Sequence, residues 1–287
     1  MQYTLKKMRN SIMIKQNLHT HSQYDDGKDA IDEIVQKAQE RGFTILGFSG
    51  HGYYAKDDSS MTPEKTKQYI QDVRQAQQQA PNGLKIYLGI EEDSMAPIEN
   101  VEDFDYVIGS VHYLEHNGKI YPIDYSQEQF DEMLKEGYQN DINALAKDYY
   151  LAIERQAQNP NIQILGHLDL ITKYNEDQSY FCFDDPKILS YAKVAIEQLV
   201  KAGKIFEMNS GAMARGYRNS PYPSIELLKL IYEANGKILI NTDCHDKEYL
   251  DYVMQICLDL AKQIGFKTLE MFNGKNFESK NIEEFFV

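Results

Sequence analysis

Residues 12–21 begin with the apolar run Ile12-Met13-Ile14 and end in Asn17-Leu18-His19-Thr20-His21, a His-x-His pair. In a β-strand, side chains two residues apart lie on the same side, so His19 and His21 can present two imidazoles to one point. This geometry binds metal ions. An isolated His-x-His also occurs as a surface pair at a strand end, so the interpretation depends on the rest of the chain.

The length and composition predict one domain over residues 1–287. Although 287 residues exceed the average domain, α/β barrels commonly reach this length. Hydrophobic residues make up 42% of the chain, which suffices for a sizeable core, and no Gly/Ser/Pro-rich stretch marks a linker.

The charge balance argues against nucleic acid as a partner. Thirty basic and 44 acidic residues give a net charge of −14, which repels a phosphate backbone at long range. An acidic protein that works on anionic substrates needs bound metals or a local arginine cluster. We expect a small-molecule substrate, no nucleic-acid partner, and a monomer or small homo-oligomer.

The cysteines and the N-terminal residues favour a cytoplasmic protein with no membrane partner. Cys182, Cys244 and Cys257 form no C-x-x-C pair, and their odd number does not suggest a disulfide framework. Residues 1–15 carry charges without a sustained apolar segment, and no stretch of about 18 apolar residues could span a bilayer.

Short apolar runs alternate with longer segments of helical period. The runs predicted as strands are Ile12–Leu18, Thr44–Ser49, Lys85–Ile90, Tyr106–Val111, Gln163–Gly166, Ile205–Asn209, Lys237–Asn241 and Thr268–Phe272. The segments predicted as helices are Ala30–Arg41, Pro63–Gln79, Gln127–Gln158, Pro186–Ala202, Ser224–Ala234 and Lys247–Ile264. Strand followed by helix, repeated seven or eight times, predicts an α/β fold with a parallel sheet, and a (β/α) barrel is favoured at this length. An open doubly wound sheet is the alternative, but no Gly-x-Gly-x-x-Gly follows the first strand.

Six of the seven histidines follow predicted strands at their C-terminal ends, the face on which barrel enzymes build active sites. These are His19, His21, His51, His112, His167 and His245, and they are joined there by Glu91 and Asp243. One alone would more often be a buried or capping histidine. Six imidazoles with two carboxylates and no suggested thiolate suit zinc, manganese or iron, and are too many for one tetrahedral ion. The pattern predicts two or three metals.

Seven stretches carry a resemblance to a known family. They are His19-Thr20-His21-Ser22 with Asp25-Asp26-Gly27-Lys28, Ser49-Gly50-His51, Leu88-Gly89-Ile90-Glu91, Gly109-Ser110-Val111-His112, Gly166-His167-Leu168-Asp169, Glu207-Met208-Asn209-Ser210 and Thr242-Asp243-Cys244-His245. In content and order they resemble the polymerase-and-histidinol-phosphatase (PHP) superfamily of metal-dependent phosphoesterases, and within it the histidinol-phosphate phosphatases of the bacterial histidine pathway.

The resemblance implies a distorted seven-stranded (β/α) TIM-like barrel with three divalent ions (Zn, Mn or Fe) at the C-terminal ends of the strands. The implied ligands are His19, His21, Glu91 and Asp243 for one metal, Glu91, His112 and His167 for a second, and Asp26, His51 and His245 for a third. Two positions depart from the pattern. Many members have a histidine near Asp26, and Gly50 stands where an acidic residue commonly precedes the motif histidine, which leaves the orientation of His51 to another group.

The resemblance also implies a reaction, the hydrolysis of L-histidinol phosphate to L-histidinol and phosphate. Glu91, Asp243 and Arg215 are the expected catalytic residues. A water bridging two divalent ions has a lowered pKa, which yields a hydroxide able to attack phosphorus, and the metals neutralise the phosphoryl oxygens. The alternative is another PHP-type phosphoesterase, acting on a small phosphomonoester or an oligonucleotide.

Arginines after the sixth strand are candidate phosphate ligands, because a guanidinium matches phosphate geometry. The loop contains Arg215 and Arg218, of which Arg215 is the better match by resemblance. Asn209 ends the strand and is either a further substrate contact or a support of the residues that bind metal or substrate. Ordinary solvated loop arginines are the alternative for both. Asp169 is either a contact of the site or a helix N-cap.

The ammonium and imidazole of histidinol phosphate call for an acidic or aromatic surface beside the metals. Candidates just past strand ends are Tyr53, Tyr54, Glu92, Asp93, Tyr113 and Tyr217.

Three other functions stay open. The net charge and the lack of an appended domain disfavour a PHP-type nuclease or proofreading domain. A full set of ligands disfavours a metal-binding module without catalysis. An amidohydrolase-like enzyme would also use His-x-His on a barrel, but that family typically has a carboxylated lysine, and the positions of Glu91 and His112 fit it poorly.

Overall fold

The computed structural model describes residues 13–285, which are built around seven parallel strands. Numbered along the chain and given in spatial order, they are β1 (Gln16–Asn17), β2 (Ile45–Phe48), β3 (Lys85–Asp93), β4 (Tyr106–Ser110), β7 (Ile164–Leu165), β8 (Ile205–Asn209) and β9 (Lys237–Asn241). Every neighbouring pair is parallel. The predicted α/β barrel of seven strands is confirmed. The predicted start of the first strand, Ile12, lies outside the described residues.

Helices follow most of these strands and pack on the outside of the sheet. They are α1 (Ile31–Glu40), α2 (Pro63–Gln78), α3 (Gln127–Glu132), α4 (Ile142–Arg155), α5 (Pro186–Lys201), α6 (Gly211–Ala214), α7 (Ile225–Glu233) and α8 (Met254–Ile264). Thr62 and Asp185 cap α2 and α5 with side-chain oxygens, and a proline opens each helix, as expected for the first turn. Within residues 13–285, no helix has both the length and the apolar composition needed to cross a membrane.

The single helix predicted over Gln127–Gln158 is wrong, because non-helical backbone interrupts it. After α3 comes a π-helical turn, Met133–Gly137, and then Gln139 and Asn140 adopt φ values of 52° and 64°. This left-handed backbone ends a helix. Asp141 then caps α4. Both flanking segments have helical periodicity, so the pattern alone did not mark the break.

Two antiparallel hairpins lie outside the barrel sheet. One consists of β5 (Tyr113–His116) and β6 (Lys119–Pro122), directly after β4. The other contains the eighth predicted strand, Thr268–Phe272, which is β10 and pairs with β11 (Phe277–Asn281). The side chain of Gln16 pairs with β10 as a backbone would, donating to a carbonyl at 3.1 Å and accepting from an amide at 2.9 Å.

The barrel closes where the first and last strands meet at their C-terminal ends. Thr20 and Cys244 form a parallel bridge. The amide of His21 donates to the carbonyl of Cys244 at 2.9 Å, and the Cys244 amide donates to His19 at 3.1 Å. This closure puts the His-x-His pair beside the segment that contains Asp243.

Tyr106 fills the barrel interior. Its ring lies against Gly47 and Gly89, where any Cβ would overlap it. Its hydroxyl donates to the carbonyl of Leu18 at 2.5 Å and lies 3.1 Å from the carbonyl oxygen of Phe48. Apolar side chains that include Ile45, Ile164 and Leu239 cluster with this ring, and a second, larger apolar cluster includes residues of the helices. Polar side chains therefore collect at the C-terminal ends of the strands.

Candidate metal centre

The structure brings all nine predicted metal ligands together at the C-terminal ends of the strands. Parallel strands end on the same side of a sheet, so residues that follow different strands become neighbours there. These nine are His19, His21, Asp26, His51, Glu91, His112, His167, Asp243 and His245, and they form three overlapping groups or lie in contact with them.

Glu91 lies at the centre of the cluster and is buried. Its Oε1 is 3.0 Å from His167 Nε2 and 3.5 Å from His112 Nε2. Its Oε2 is 3.2 Å from His19 Nε2 and 3.1 Å from His51 Nδ1. One carboxylate therefore faces two sets of imidazoles, as a bridging ligand does.

Two aspartates complete the edges of the cluster. Asp243 Oδ1 is 3.1 Å from His21 Nε2 and 3.6 Å from His19 Nε2. Asp26 Oδ1 is 3.2 Å from His245 Nε2 and 3.8 Å from His51 Nε2. The Asp26 side chain is 38% exposed, whereas that of Asp243 is 6% exposed. The Asp26 edge is thus the open side of the site.

The donor atoms fit divalent metal ions. Three buried atoms that converge on one point, His19 Nε2, His21 Nε2 and Glu91 Oε2, have no hydrogen-bond partner. Burying polar atoms without partners is costly, so their convergence indicates that a cation satisfies them. In each of the three groups, the donor atoms lie within 4.8 Å of one another. Imidazole nitrogen and carboxylate oxygen together suit zinc, manganese or iron.

Carboxylates behind the cluster hold the imidazole rings, and the sequence-based prediction did not identify them as supports. Glu207 accepts from His19 Nδ1 at 2.7 Å and from the backbone of His167 at 3.0 Å. Asp93 accepts from the backbone of His112 at 2.8 Å and lies 3.3 Å from its Nδ1. Such contacts fix the tautomer and orientation of a ligating ring. The one sequence signal was a glutamate inside the apolar run of β8.

Mutual attraction perturbs the ionisation of these groups. Burial alone would lower the pKa of His21, but Asp25 and other carboxylates raise it to about 9. Burial would likewise lower the pKa of His112, but Glu91 and other carboxylates raise it to about 9. Burial alone would raise the pKa of Glu91, but His19 and neighbouring histidines lower it well below its usual value. The cluster therefore strongly favours positive charge, which either protons or metal ions supply.

His245 differs from His21 and His112, whose pKa values are raised. Burial lowers its pKa, and His21 and Arg215 lower it further. Its imidazole is therefore held neutral, which is the form that binds metal ions.

Of the two candidate arginines, Arg215 lines the pocket and Arg218 does not. Arg215 donates to Asp243 Oδ2 at 3.0 Å, and its side chain is 31% exposed. Arg218 is buried, its guanidinium carbon lies 4.9 Å from the centre of the Phe183 ring and 5.4 Å from that of Tyr222, and its Nε donates to Glu176 at 2.9 Å. Its guanidinium also contacts Thr172 and Ser220. The guanidinium of Arg218 is therefore engaged by neighbouring protein groups and has a structural role.

Asn209 is buried and has structural contacts as well. Its amide donates to Glu207 at 2.8 Å and its carbonyl accepts from the backbone of Gly211 at 2.8 Å. Asp169 accepts from the backbone of Ser224 at 2.9 Å. The amide of Asn209 therefore supports the carboxylate behind His19.

A pocket of about 240 Å³ opens above the metal ligands. Its outer wall consists of Asp57, Ser59, Tyr113, Pro122, Asp124, Tyr125, Leu170, Lys173 and Tyr217. Lys173 Nζ donates to Asp124 Oδ2 at 3.1 Å and lies 4.9 Å from the centre of the Tyr217 ring. The Asp57 carboxylate accepts from the neutral backbone and hydroxyl of Ser59. Of the predicted substrate contacts, Tyr113 and Tyr217 lie in this wall, while Asp93 and Glu92 have other contacts.

Comparison with known proteins gives one family. The PHP domain model matches residues 17–211, more than half of the chain. A Deinococcus radiodurans protein named "Probable histidinol-phosphatase" is 26% identical over 253 residues, which cover 85% of this chain and 90% of that protein.

Two solved structures share the fold. A Listeria monocytogenes protein described as a "putative histidinol phosphatase" superposes with a TM-score of 0.74 at 18% identity, covering 84% of this chain and 99% of that one. Histidinol phosphate phosphatase from Lactococcus lactis, complexed with zinc, L-histidinol and phosphate, has a TM-score of 0.68 at 23% identity, covering 92% of this chain and 98% of that one. The family model, the barrel and the strand-end ligands agree, and this chain belongs to the PHP domain family.

Proposed function

We propose that this protein is a metal-dependent phosphomonoesterase that hydrolyses L-histidinol phosphate to L-histidinol and phosphate. The observation that carries the proposal is the cluster of six imidazoles and three carboxylates, of which four imidazoles and all three carboxylates line a pocket that also contains Arg215. The similarity to histidinol phosphatases over most of the chain supports the choice of substrate.

The proposed ligand sets follow the three groups of donor atoms. One ion would be held by His19, His21, Glu91 and Asp243. A second ion would be held by Glu91 together with His112 and His167. Asp26, His51 and His245 would hold the third, at the more exposed edge. Divalent ions bound there lower the pKa of coordinated water and neutralise the phosphoryl oxygens.

Arg215 orients the phosphate in this proposal. Its NH2 donates to Asp243 Oδ2 at 3.0 Å and its NH1 lies 2.9 Å from His245 Nδ1, so the guanidinium is held at the rim of the cluster. A planar guanidinium donates two parallel hydrogen bonds to phosphate oxygens. Arg218 and Asn209 are assigned no substrate contact, because both side chains are buried and used elsewhere.

The outer wall of the pocket suits a cationic leaving group. Asp57 and Asp124 supply negative charge, and Tyr113, Tyr125 and Tyr217 supply aromatic faces. Since Asp124 is already paired with Lys173, we assign recognition of the ammonium to Asp57, whose carboxylate accepts hydrogen bonds from neutral groups of Ser59. An aromatic face can pack against the imidazole ring of histidinol.

The direct test measures phosphate release from L-histidinol phosphate, from other phosphomonoesters and from a single-stranded oligonucleotide. The metal-loaded protein is compared with His19→Ala and with His116→Ala, which changes the histidine outside the metal cluster. We expect strong preference for histidinol phosphate, lost in His19→Ala and kept in His116→Ala. Equal rates on many monoesters would contradict the substrate assignment, and nucleotide release would assign the protein to the nuclease branch of the family.

A further inference from the structure

Asp25 lies in the turn between β1 and α1, and its side chain has no exposed area. Its Oδ1 accepts from the backbone N–H of Ser22 at 2.9 Å. Its Oδ2 accepts from Nδ1 of His21 at 2.5 Å and from the backbone N–H of His51 at 3.0 Å. One buried carboxylate thus joins the segments after two different strands.

The position of this carboxylate depends on Gly50. A Cβ on residue 50 would lie 3.0 Å from Asp25 Oδ2, 3.1 Å from its Cγ and 3.2 Å from its Oδ1. These distances are tighter than ordinary van der Waals contact, and the carboxylate is held by three hydrogen bonds and cannot easily move away. A side chain at residue 50 and a carboxylate at residue 25 therefore compete for the same volume.

The two contacts of Oδ2 act on different parts of the two histidines. Because the Nδ1–H of His21 is donated to Asp25, its Nε2 is left to face Asp243 at 3.1 Å and Glu91 at 3.6 Å. The contact with His51 fixes its backbone, from which the ring reaches Glu91 at 3.1 Å. His21 and His51 belong to the same group of donor atoms as Asp26.

We propose that Asp25 is a positioning residue of the metal centre, which orients His21 and His51 together from the volume that Gly50 leaves open. The inference rests on the proposed metal centre. An aspartate that only stabilised its own turn would need the contact with Ser22 and neither of the others.

The test uses the full chain with Co²⁺ as the probe, because the visible absorption of Co²⁺ reports ligand geometry independently of turnover. We compare the parent with Asp25→Ala, Asp25→Asn and the double variant Asp25→Ala/Gly50→Asp. Asp141→Ala, which removes a helix-capping carboxylate outside the pocket, is the matched control. Affinity is measured by equilibrium dialysis, folding by circular dichroism.

For Asp25→Ala we expect cobalt affinity lowered by about 10- to 100-fold and an altered spectrum, because outer contacts of ligating histidines have effects of this size. Asp25→Asn should also bind cobalt more weakly. Hydrogen-bond donors approach both carboxylate oxygens of Asp25, whereas an asparagine amide has only one oxygen that can accept. The double variant should recover most of the cobalt affinity, because an aspartate side chain on residue 50 can place its carboxylate in the volume that the Asp25 carboxylate occupied.

Parental affinity and spectrum in folded Asp25→Ala and Asp25→Asn would overturn the inference. A folded double variant that binds no better than Asp25→Ala would overturn the shared role of the volume beside Gly50. Failure of the parent itself to bind cobalt would instead contradict the proposed metal centre, so the two failures are distinguishable.

Discussion

Glu207 Oε1 accepts a hydrogen bond from Nδ1 of His19 at 2.7 Å, and both side chains are fully buried. The same carboxylate also accepts from the side-chain amides of Asn209 and Asn241, each at 2.8 Å. Every acceptor direction of Glu207 is therefore used to hold groups around the metal ligands, and His19 is held with its Nε2 facing Glu91.

Replacement of this carboxylate tests its role. Glu207→Gln keeps the shape but places an amide N–H₂ opposite one of the donors, so we expect metal affinity to fall about 10- to 100-fold. Competition with a chromophoric chelator measures the affinity. Glu270→Gln, a buried glutamate of β10 outside the site, is the control and should bind metal as the parent does. Equal affinities for the two variants would contradict the role of Glu207.

The two loop arginines form a matched pair for the phosphate assignment. Arg215→Lys should lower kcat/KM about 10- to 100-fold, because a lysine cannot donate two parallel bonds, and a charged hydrogen bond contributes about 1.5–3 kcal/mol. Arg218→Lys should leave kcat/KM within about twofold while lowering the free energy of unfolding by about 1–3 kcal/mol, because its buried contacts are lost. Steady-state kinetics and urea unfolding measure both. A larger kinetic loss in Arg218→Lys than in Arg215→Lys would reverse the assignment.

The pocket wall predicts substrate discrimination. Asp57→Asn should raise KM for L-histidinol phosphate about tenfold, in keeping with the loss of one charged hydrogen bond. It should leave KM for p-nitrophenyl phosphate nearly unchanged, because that substrate has no ammonium group. The neighbouring Asp58→Asn, outside the pocket wall, serves as control. An equal rise in KM for both substrates would contradict recognition of the ammonium by Asp57.

The raised pKa values of His21 and His112, each about 9, predict a pH dependence for the chelator-treated protein. Since the folded state binds these protons more tightly than the unfolded chain, the stabilisation is complete below about pH 6.5 and is lost as the pH rises through about 9. The lowered pKa of His245 has the opposite effect on stability, but it concerns one histidine against two.

Urea unfolding at pH 6.5 and 9.5 measures this effect. We expect the chelated protein to be less stable at the higher pH. The metal-loaded protein should gain stability from metal as the pH rises over the same interval, because metals bind neutral imidazole. A chelated protein whose stability rises with pH would contradict the electrostatics of the cluster.

Periodicity favoured a barrel over an open sheet, and strand-end placement predicted that six histidines share one face, where the structure brings them together. Side chains after parallel strands must share an edge, so the positions of His51, His112 and His167 in the sequence implied their proximity in space. Periodicity failed where a local event interrupted it, as at Gln139 and Asn140, whose left-handed backbone divides the long helix into two.

The order of the strands and the motifs at their ends were enough to predict the architecture and to name side chains that gather at one edge of the sheet. The three-dimensional packing was needed to show which carboxylates hold the rings and which arginine reaches the pocket. Glu207 contacts His19 across 188 positions of the chain. The buried Arg218 pairs with the partly exposed Glu176, while Arg215, three residues earlier, faces the cluster. Such contacts depend on packing between distant segments, which no local pattern records.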